Sequence, residues 1–256
     1  MKRLGQHFLK NPEILESIAE RINKAGSNII IEVGPGHGEL TEKLSGKIIA
    51  IEKDRDLAAA LKQKFAANKN IEIIAGDALN ILPELTANPA YKSYVLAGNI
   101  PYYITGYLLR TISGLENKPR LSVLTVQKEV AERIEARPPK MNRLAAAVQF
   151  WAEPKIIFFI KKREFYPPPE VDSALIELRA VSCGADAESY YKTVRALFKQ
   201  PRKTIHNNIT SALRGKAETK TIAGVLKKMG IDHANRPQNL SVEQIVEISS
   251  FFGDKI

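Results

Sequence analysis

The chain has 256 residues, of which 44% are apolar, and it carries a formal net charge of +10 with a sequence pI near 9.5. The apolar share is ordinary for a globular chain, and the single cysteine, Cys183, excludes an intrachain disulfide. The basic balance favours a partner with a phosphate backbone, although a membrane surface would also attract it and a solvated basic surface would look the same. No apolar run reaches transmembrane length, so we expect a cytoplasmic protein that has no membrane partner.

Short apolar runs alternate with amphipathic stretches over the first two thirds of the chain. Each run is rich in β-branched residues and is bounded by Gly, Asp or Asn, which predicts a buried strand. These runs are Ile29–Val33, Ile48–Glu52, Ile71–Ala75, Tyr94–Asn99 and Leu121–Gln127. Helical patterns lie between them, as at Leu57–Ala66 and Lys128–Ala136. The alternation predicts an α/β, Rossmann-like domain with a mostly parallel sheet that is covered on both faces.

Two further apolar runs, Lys155–Ile160 and Ala174–Arg179, are joined by a proline-rich segment that fits no helix. We therefore expect them to be antiparallel neighbours that form a hairpin at the edge of the sheet.

The composition changes after Arg179, and Ala180–Asp186 is small and polar, as is typical of a linker. We expect a core domain over residues 1–181 and a small α-helical domain over residues 182–256. The latter has 12 basic and 7 acidic residues, so it is the more densely basic part. A final helix is predicted to begin at Ser241, with Gln244 completing a capping box. The other predicted helices are Ala187–Gln200, Lys203–Leu213 and Thr221–Met229.

A glycine-rich segment, Glu32-Val33-Gly34-Pro35-Gly36-His37-Gly38, follows the first predicted strand. Glycines at alternate positions let the backbone pass close to a ligand. The dinucleotide fingerprint places its third glycine one residue later, where a helix N-terminus meets a pyrophosphate. The spacing here suits a nucleoside ligand without a pyrophosphate, although an ordinary strand-to-helix turn would also fit.

Two carboxylates at the next strand ends favour the ligand. Glu52 ends the second strand, where acidic residues commonly accept hydrogen bonds from ribose hydroxyls. Asp77, between Gly76 and Ala78, ends the third strand and could accept from an adenine amine. Because the carboxyl ends of parallel strands meet at one edge of the sheet, the sequence predicts an adenosine-type cofactor there.

A polar and aromatic loop, Asn99-Ile100-Pro101-Tyr102, follows the fourth predicted strand. An aromatic amine is a poor nucleophile because its lone pair is delocalised, and two acceptors on its N–H groups can localise that pair. The Asn99 side-chain oxygen and the Ile100 carbonyl offer such acceptors, and Pro101 stiffens the loop. Tyr102 offers a stacking face for an extruded base. The competing interpretation is a simple turn.

Together these motifs resemble those of the small-subunit ribosomal RNA adenine dimethyltransferases, the kasugamycin-sensitivity methyltransferases. The resemblance spans nearly the whole chain and includes Gly5–Leu9, Phe165–Ala174 and Arg202-Lys203-Thr204. Two positions depart from the family pattern. Ile100 stands where the family usually has Leu, with only its backbone in use, and Pro201 stands where the family often has Arg.

The resemblance implies a class I methyltransferase fold and S-adenosylmethionine as the cofactor. The implied reaction is N6-dimethylation of two adjacent adenosines near the 3′ end of small-subunit ribosomal RNA, during ribosome biogenesis. The implied partner is an immature ribosomal subunit, bound by a monomer without a metal. Phe165 would form the second wall of the base pocket, opposite Tyr102.

The candidate residues fall into three groups. The catalytic candidates are Asn99, Ile100, Pro101, Tyr102 and Phe165. The cofactor-binding candidates are His7, Leu9, Gly34, Gly36, Glu52, Asp77, Ala78 and Asn99. The RNA-binding candidates are Lys199, Arg202 and Lys203.

Three alternatives remain open. A large-subunit ribosomal RNA adenine methyltransferase shares the fold and the catalytic loop, but Arg202-Lys203-Thr204 and Asp172-Ser173-Ala174 fit the small-subunit family better. A non-catalytic RNA-binding or ribosome-assembly factor could use the same fold, but it would not need an intact Asn99–Tyr102 loop. A small-molecule methyltransferase explains neither the stacking pair nor the charge.

Overall fold

A computed structural model of the chain describes residues 6–182, 184–213 and 219–256. Gly5 and Cys183, which the sequence analysis singled out, lie outside these ranges. Internal contacts separate two units: one consists of the described residues up to Glu132 with Glu153–Ala180, and the other of Arg133–Ala152 with Val181–Ile256. The second unit thus takes in residues 133–152, which the predicted division had assigned to the core domain.

The helices and strands follow one another along the described chain without long irregular stretches. In chain order they are β1 (Phe8–Leu9), α1 (Pro12–Lys24), β2 (Ile29–Val33), β3 (Lys47–Glu52), α2 (Arg55–Lys64), β4 (Ile71–Ala75), α3 (Ala78–Ala87), β5 (Val95–Asn99), α4 (Thr105–Gly114), β6 (Leu121–Gln127), α5 (Lys128–Glu135), α6 (Arg143–Gln149), β7 (Ala152–Ile160), β8 (Phe165–Tyr166), β9 (Ser173–Ala180), α7 (Ala187–Leu197), α8 (Ile205–Leu213), α9 (Thr219–Lys228) and α10 (Val242–Phe252).

The predicted sheet is confirmed. Its strand order is β4-β3-β2-β5-β6-β9-β7 over the described residues. The strands β4, β3, β2, β5 and β6 run parallel to one another, and β9 runs antiparallel to β6. The two strands predicted at the edge, β7 and β9, are indeed neighbours there.

The strand order reverses at β2, which has β3 on one side and β5 on the other. Ligands of open α/β sheets bind at such a reversal, outside the carboxyl ends of the strands. Apolar side chains are buried on both faces of the sheet and hold the central strands in place. Ile31 and Leu96, for example, are fully buried. The backbone at the strand ends is therefore firmly positioned.

A short second sheet was not predicted from the sequence. It joins β1 to β8, with Phe8 opposite Tyr166 and Leu9 opposite Phe165. The segment then enters α1, whose first turn is capped by Asn11: its Oδ1 accepts from the N–H groups of Glu13 and Ile14 at 3.0 and 3.2 Å. The pairing fixes residues 6–9 against the first unit.

The second unit has its own apolar core. Tyr190 stacks on Phe150 with ring centroids 4.0 Å apart, and its hydroxyl donates to the Ala146 carbonyl at 2.9 Å. The predicted capping box is confirmed, because the Ser241 side chain accepts from the Gln244 N–H while the Gln244 side chain accepts from the Ser241 N–H.

The loop between α7 and α8 is longer than predicted. Helix α7 ends at Leu197 and α8 begins at Ile205, so Phe198–Gln200 and Lys203 are not helical. The buried Asn208 amide explains this, since it donates to the carbonyls of Gln200, Lys203 and Thr204 at 3.1–3.3 Å. These hydrogen bonds satisfy carbonyl groups outside a helix.

Among the helices of the described ranges, we find none that is both long and apolar enough to cross a membrane.

Candidate active site at the carboxyl edge of the sheet

A crevice lies where β2, β3, β4 and β5 end, and residues 6–8 line it as well. Most of the candidate residues line this crevice. They are His7, Gly34, Gly36, Glu52, Asp77, Ala78, Asn99, Ile100, Pro101 and Tyr102. Lys53 and Tyr103 line it too, although the sequence analysis did not single them out.

The glycine loop needs its glycines for two reasons. Gly34 and Gly36 have φ angles of +69° and +61°, a region that side chains strongly disfavour. A Cβ on Gly36 would also lie 2.8 Å from the ring of Phe8. The backbone thus passes the crevice without side chains of its own, which leaves a cradle for a ligand.

Glu52 connects the glycine loop to the end of β3. Its Oε2 accepts from the Gly36 N–H at 3.2 Å, and its Oε1 accepts from the Asp54 N–H at 2.9 Å. Burial raises the pKa of Glu52, and the two N–H groups only partly offset this effect. Each carboxylate oxygen retains a second lone pair, so the group can accept from two hydroxyls.

Asp77 caps α3 and pairs with Lys53. Its Oδ1 accepts from the Leu79 N–H at 3.0 Å, and its Oδ2 accepts from the Lys53 ammonium at 2.7 Å. Burial raises the pKa of Asp77, but the hydrogen bonds from Lys53 and Leu79 outweigh it and leave the pKa below its usual range. The carboxylate therefore stays ionised and can accept from a ligand.

Asn99 is oriented by the segment that precedes α1. Its Nδ2 donates to the His7 carbonyl at 2.7 Å. Because a carbonyl can only accept, this contact fixes which end of the amide is nitrogen. The side-chain oxygen is then the end that remains to accept a hydrogen bond from another group.

Tyr102 is held through its hydroxyl as well as its ring. The hydroxyl shares a 2.7 Å hydrogen bond with the Ser173 side chain, which is fully buried at the start of β9. Burial raises the pKa of Tyr102, and the hydrogen bond to Ser173 only partly lowers it, so the phenol stays protonated. The Tyr102 ring lies 5.8 Å from the ring of His7, whose Nδ1 donates to the Pro167 carbonyl at 2.7 Å.

Leu9 and Phe165 lie apart from the crevice. They face each other in the β1–β8 pairing and are 5% and 4% exposed. Leu9 lines a small neighbouring cavity together with Gly36 and Asn99. Phe165 belongs to the apolar core of the first unit.

Glu32 is a buried acid that the sequence analysis did not consider a functional residue. It lies at the end of β2, and its Oε2 accepts from the Thr41 hydroxyl at 2.7 Å. Burial raises the pKa of Glu32 to about 7, the hydrogen bond from Thr41 opposes the rise, and the nearby charges of Glu39 and Glu52 add to it. The group can therefore gain or lose a proton near neutral pH.

The basic candidates Lys199, Arg202 and Lys203 are exposed around the α7–α8 loop of the second unit. Lys199 lines a surface groove of that unit with Lys192 and Arg195. Lys192 and Arg195 were not among the candidates, but their three-residue spacing places them on one face of α7. Lys192, Arg195 and Lys199 therefore bring three cations to one groove of the second unit.

Known proteins resemble the chain over nearly its whole length. The Ribosomal RNA adenine dimethylase family matches residues 1–253. The ribosomal RNA small subunit methyltransferase A of Dehalococcoides mccartyi strain 195 is 38% identical over 252 residues, which cover 95% of this chain and 85% of that protein. The protein of the same name from Pelotomaculum thermopropionicum is 35% identical, and the match covers 99% and 91% of the two chains.

Two solved structures are similar as well. A dimethyladenosine transferase from Plasmodium falciparum has a TM-score of 0.82 at 27% identity and covers 97% of this chain and 98% of its own. The 23S rRNA methyltransferase ErmE has a TM-score of 0.73 at 24% identity, with 95% and 98% covered, and shows the shared fold.

The raised pKa of Glu32 predicts a loss of stability as pH rises. Between the ordinary value of 4.5 and the folded value of about 7, the folded chain binds more protons than the unfolded chain. The contribution of Glu32 to the free energy of unfolding therefore falls with pH in this window. Glu32→Gln should gain stability relative to the unsubstituted chain on going from pH 5 to pH 8, by on the order of 2 kcal/mol.

Urea unfolding of both proteins at the two pH values measures this difference. Glu72→Gln, which neutralises an exposed carboxylate on β4, is the matched control and should leave it near zero. If the free energies of unfolding of the Glu32→Gln and unsubstituted proteins differ by the same amount at pH 5 and at pH 8, the pKa of Glu32 is not raised by folding.

Proposed function

The chain belongs to the ribosomal RNA adenine dimethylase family, and on that premise we propose that it transfers methyl groups from S-adenosylmethionine to the N6 amine of adenines in small-subunit ribosomal RNA. The observation that carries the proposal is the fixed orientation of Asn99, whose Nδ2 is bound by the His7 carbonyl at 2.7 Å. The substrate is two adjacent adenosines near the 3′ end of that RNA, in an immature subunit. The enzyme acts as a monomer in the cytoplasm.

The crevice residues fit the adenosine part of the cofactor. Glu52 would accept from the ribose hydroxyls, and Asp77 would accept from the adenine amine, because each carboxylate lies at a strand end on the crevice. The bare backbone of Gly34 and Gly36 provides the close approach that such a ligand needs. When bound, the cofactor supplies an electrophilic methyl group on a sulfonium.

The loop residues activate the target amine without a strong base. The side-chain oxygen of Asn99 and the carbonyl of Ile100 would accept from the two N–H groups of adenine. Both acceptors would localise the lone pair on N6, and the proton becomes acidic once the amine is methylated. Since the His7 carbonyl already holds the amide, little reorganisation is required during the reaction.

Tyr102 would stack on the extruded adenine, with its ring held by the hydrogen bond to Ser173. We assign the opposite wall to Phe165. That ring is only 4% exposed, so the side chains that cover it must shift when a base enters. His7 would contribute to the cofactor side of the crevice, and Leu9 would act from the neighbouring cavity that it lines with Gly36 and Asn99.

The second unit would bind the RNA backbone through Lys199, Arg202 and Lys203, which are exposed on one loop. A large-subunit RNA substrate is the alternative, and the likeness to the 23S rRNA methyltransferase supports only the fold. The two relatives that share 38% and 35% of this sequence are both named for the small subunit, which favours small-subunit RNA.

Asn99→Ala should lower the rate of methyl transfer by about 10²–10³-fold, because one positioned acceptor is lost. The measurement is single-turnover transfer of labelled methyl groups to immature small subunits that lack the modification, followed by nucleoside analysis. Asn80→Ala on the exposed face of α3 is the matched control and should keep the full rate. A folded Asn99→Ala protein that transfers methyl groups at the wild-type rate would contradict the acceptor mechanism.

Substitutions of Tyr102 separate its ring from its hydroxyl. Tyr102→Ala should weaken base stacking by roughly 1–3 kcal/mol. Tyr102→Phe keeps the ring but leaves the buried Ser173 hydroxyl without its partner, so we expect a smaller loss. Ser173→Ala combined with Tyr102→Phe should recover part of it, since neither hydroxyl is then orphaned. If Tyr102→Phe loses as much single-turnover rate as Tyr102→Ala, the ring is not the functional group.

Replacing Arg202 and Lys203 with Ala should weaken binding to immature subunits and reduce the slope of log K against log salt by about 2, one for each phosphate contact. Binding is measured by filter retention at several salt concentrations. Lys227→Ala plus Lys228→Ala, at the end of α9, removes the same charge elsewhere in the second unit. An unaltered slope in the Arg202 and Lys203 variant would show that this loop does not contact RNA.

A further inference from the structure

Three residues that the proposed chemistry does not use form an exposed stripe at the start of α4. Tyr107 and Arg110 are three positions apart and share one face of α4, and Tyr103 lies in the 3₁₀ turn, Tyr102–Ile104, that directly precedes this helix. The two tyrosines are 52% and 65% exposed, and Arg110 is exposed too. Two flat aromatic rings with a guanidinium beside them form a surface that suits a stacked base and its phosphate.

The stripe leads from the crevice into a second concavity. Tyr103 lines the crevice, whereas Tyr107 and Arg110 line an open groove of about 560 Å³ between α3 and α4. On the α3 side, Ala78 lines the crevice and Leu79 lines the groove. Because Ala78 and Leu79 are adjacent on α3, and because Tyr103 lies in the turn that directly precedes α4, the groove adjoins the crevice.

The residues that line the groove give it apolar surface, one guanidinium and one carboxylate. Leu79 and Pro83 provide apolar surface opposite the Tyr107 ring, and Arg110 provides the guanidinium. Glu116 also lines the groove, and the Lys118 ammonium donates to the carbonyl of the neighbouring Leu115 at 2.9 Å. An aromatic face and a guanidinium in one apolar groove match a nucleotide, which has both a ring and an anion.

We propose that this groove binds the nucleotide next to the target adenine, with its base against Tyr107 and its phosphate on Arg110. The inference rests on the proposed function, since an RNA strand that delivers a base to the crevice must continue over an adjoining surface. Tyr107 follows Tyr103 by four residues, just inside α4, so a strand whose target base enters the crevice can place its next nucleotide at the groove. The groove would therefore select the sequence neighbour of the modified base.

The test compares Tyr107→Ala, Tyr107→Phe and Arg110→Ala. The probes are immature small subunits that lack the modification and a protein-free RNA fragment with the 3′-terminal sequence of small-subunit RNA. Tyr107→Ala should raise the Kd for both probes about tenfold, and Tyr107→Phe should not. Arg110→Ala should reduce the salt slope by about 1. Arg55→Ala, at the exposed start of α2, is the control for loss of one charge.

Cofactor affinity, measured by calorimetry, should be unchanged in all of these variants and reports that they are folded. Wild-type Kd values for Tyr107→Ala and Arg110→Ala would overturn the groove proposal while wild-type methylation upholds the proposed function. If the unsubstituted protein methylates neither probe, the proposed function fails, and the Kd values still decide the groove. Weaker binding to subunits but not to the fragment would assign the groove to a ribosomal protein and overturn an RNA occupant.

Discussion

The hydrogen bond from Asn99 to the His7 carbonyl is the interaction on which the proposed chemistry depends. An amide side chain can present either its oxygen or its nitrogen, and only the oxygen can accept from an amine. The 2.7 Å contact removes that choice before any substrate arrives. It depends in turn on the β1–β8 pairing, which fixes residues 6–9 beside the end of β5. Residues 6–9, which lie outside the central sheet, thus determine which end of the Asn99 amide is left to accept a hydrogen bond.

Two acids are buried at this same edge of the sheet. Glu52 is the last residue of β3, Glu32 is the last residue but one of β2, and both are almost fully covered. Their hydrogen-bond partners differ: Glu52 accepts from two backbone N–H groups, whereas Glu32 accepts from the Thr41 hydroxyl. The Gly36 N–H of the glycine loop is therefore tied to Glu52, so the loop conformation and the position of this carboxylate are established together. The cost of burying two acids is the physical reason why both have raised pKa values.

Much of this arrangement could be predicted because it is local in sequence. Glu52, Asp77 and Asn99 each end a strand, and parallel topology brings those ends to one edge of the sheet. The contacts that orient the side chains could not be predicted in the same way. Asn99 and its partner His7 are 92 residues apart, and Tyr102 and Ser173 are 71 apart. The α7–α8 loop was likewise misjudged, because helical periodicity does not reveal that Asn208 binds three carbonyls.

Tyr102 shows how far a motif can be interpreted without its partners. Ring stacking is a property of the residue type, and a sequence pattern can suggest it. The hydroxyl is different, since its value depends on whether a buried group would be left unpaired when it is removed. Ser173 is that group, and it lies at the start of the one strand that runs antiparallel to β6. The antiparallel strand therefore has a chemical consequence, because it brings a hydroxyl from late in the chain to Tyr102. A strand parallel to β6 would have begun at the opposite edge of the sheet.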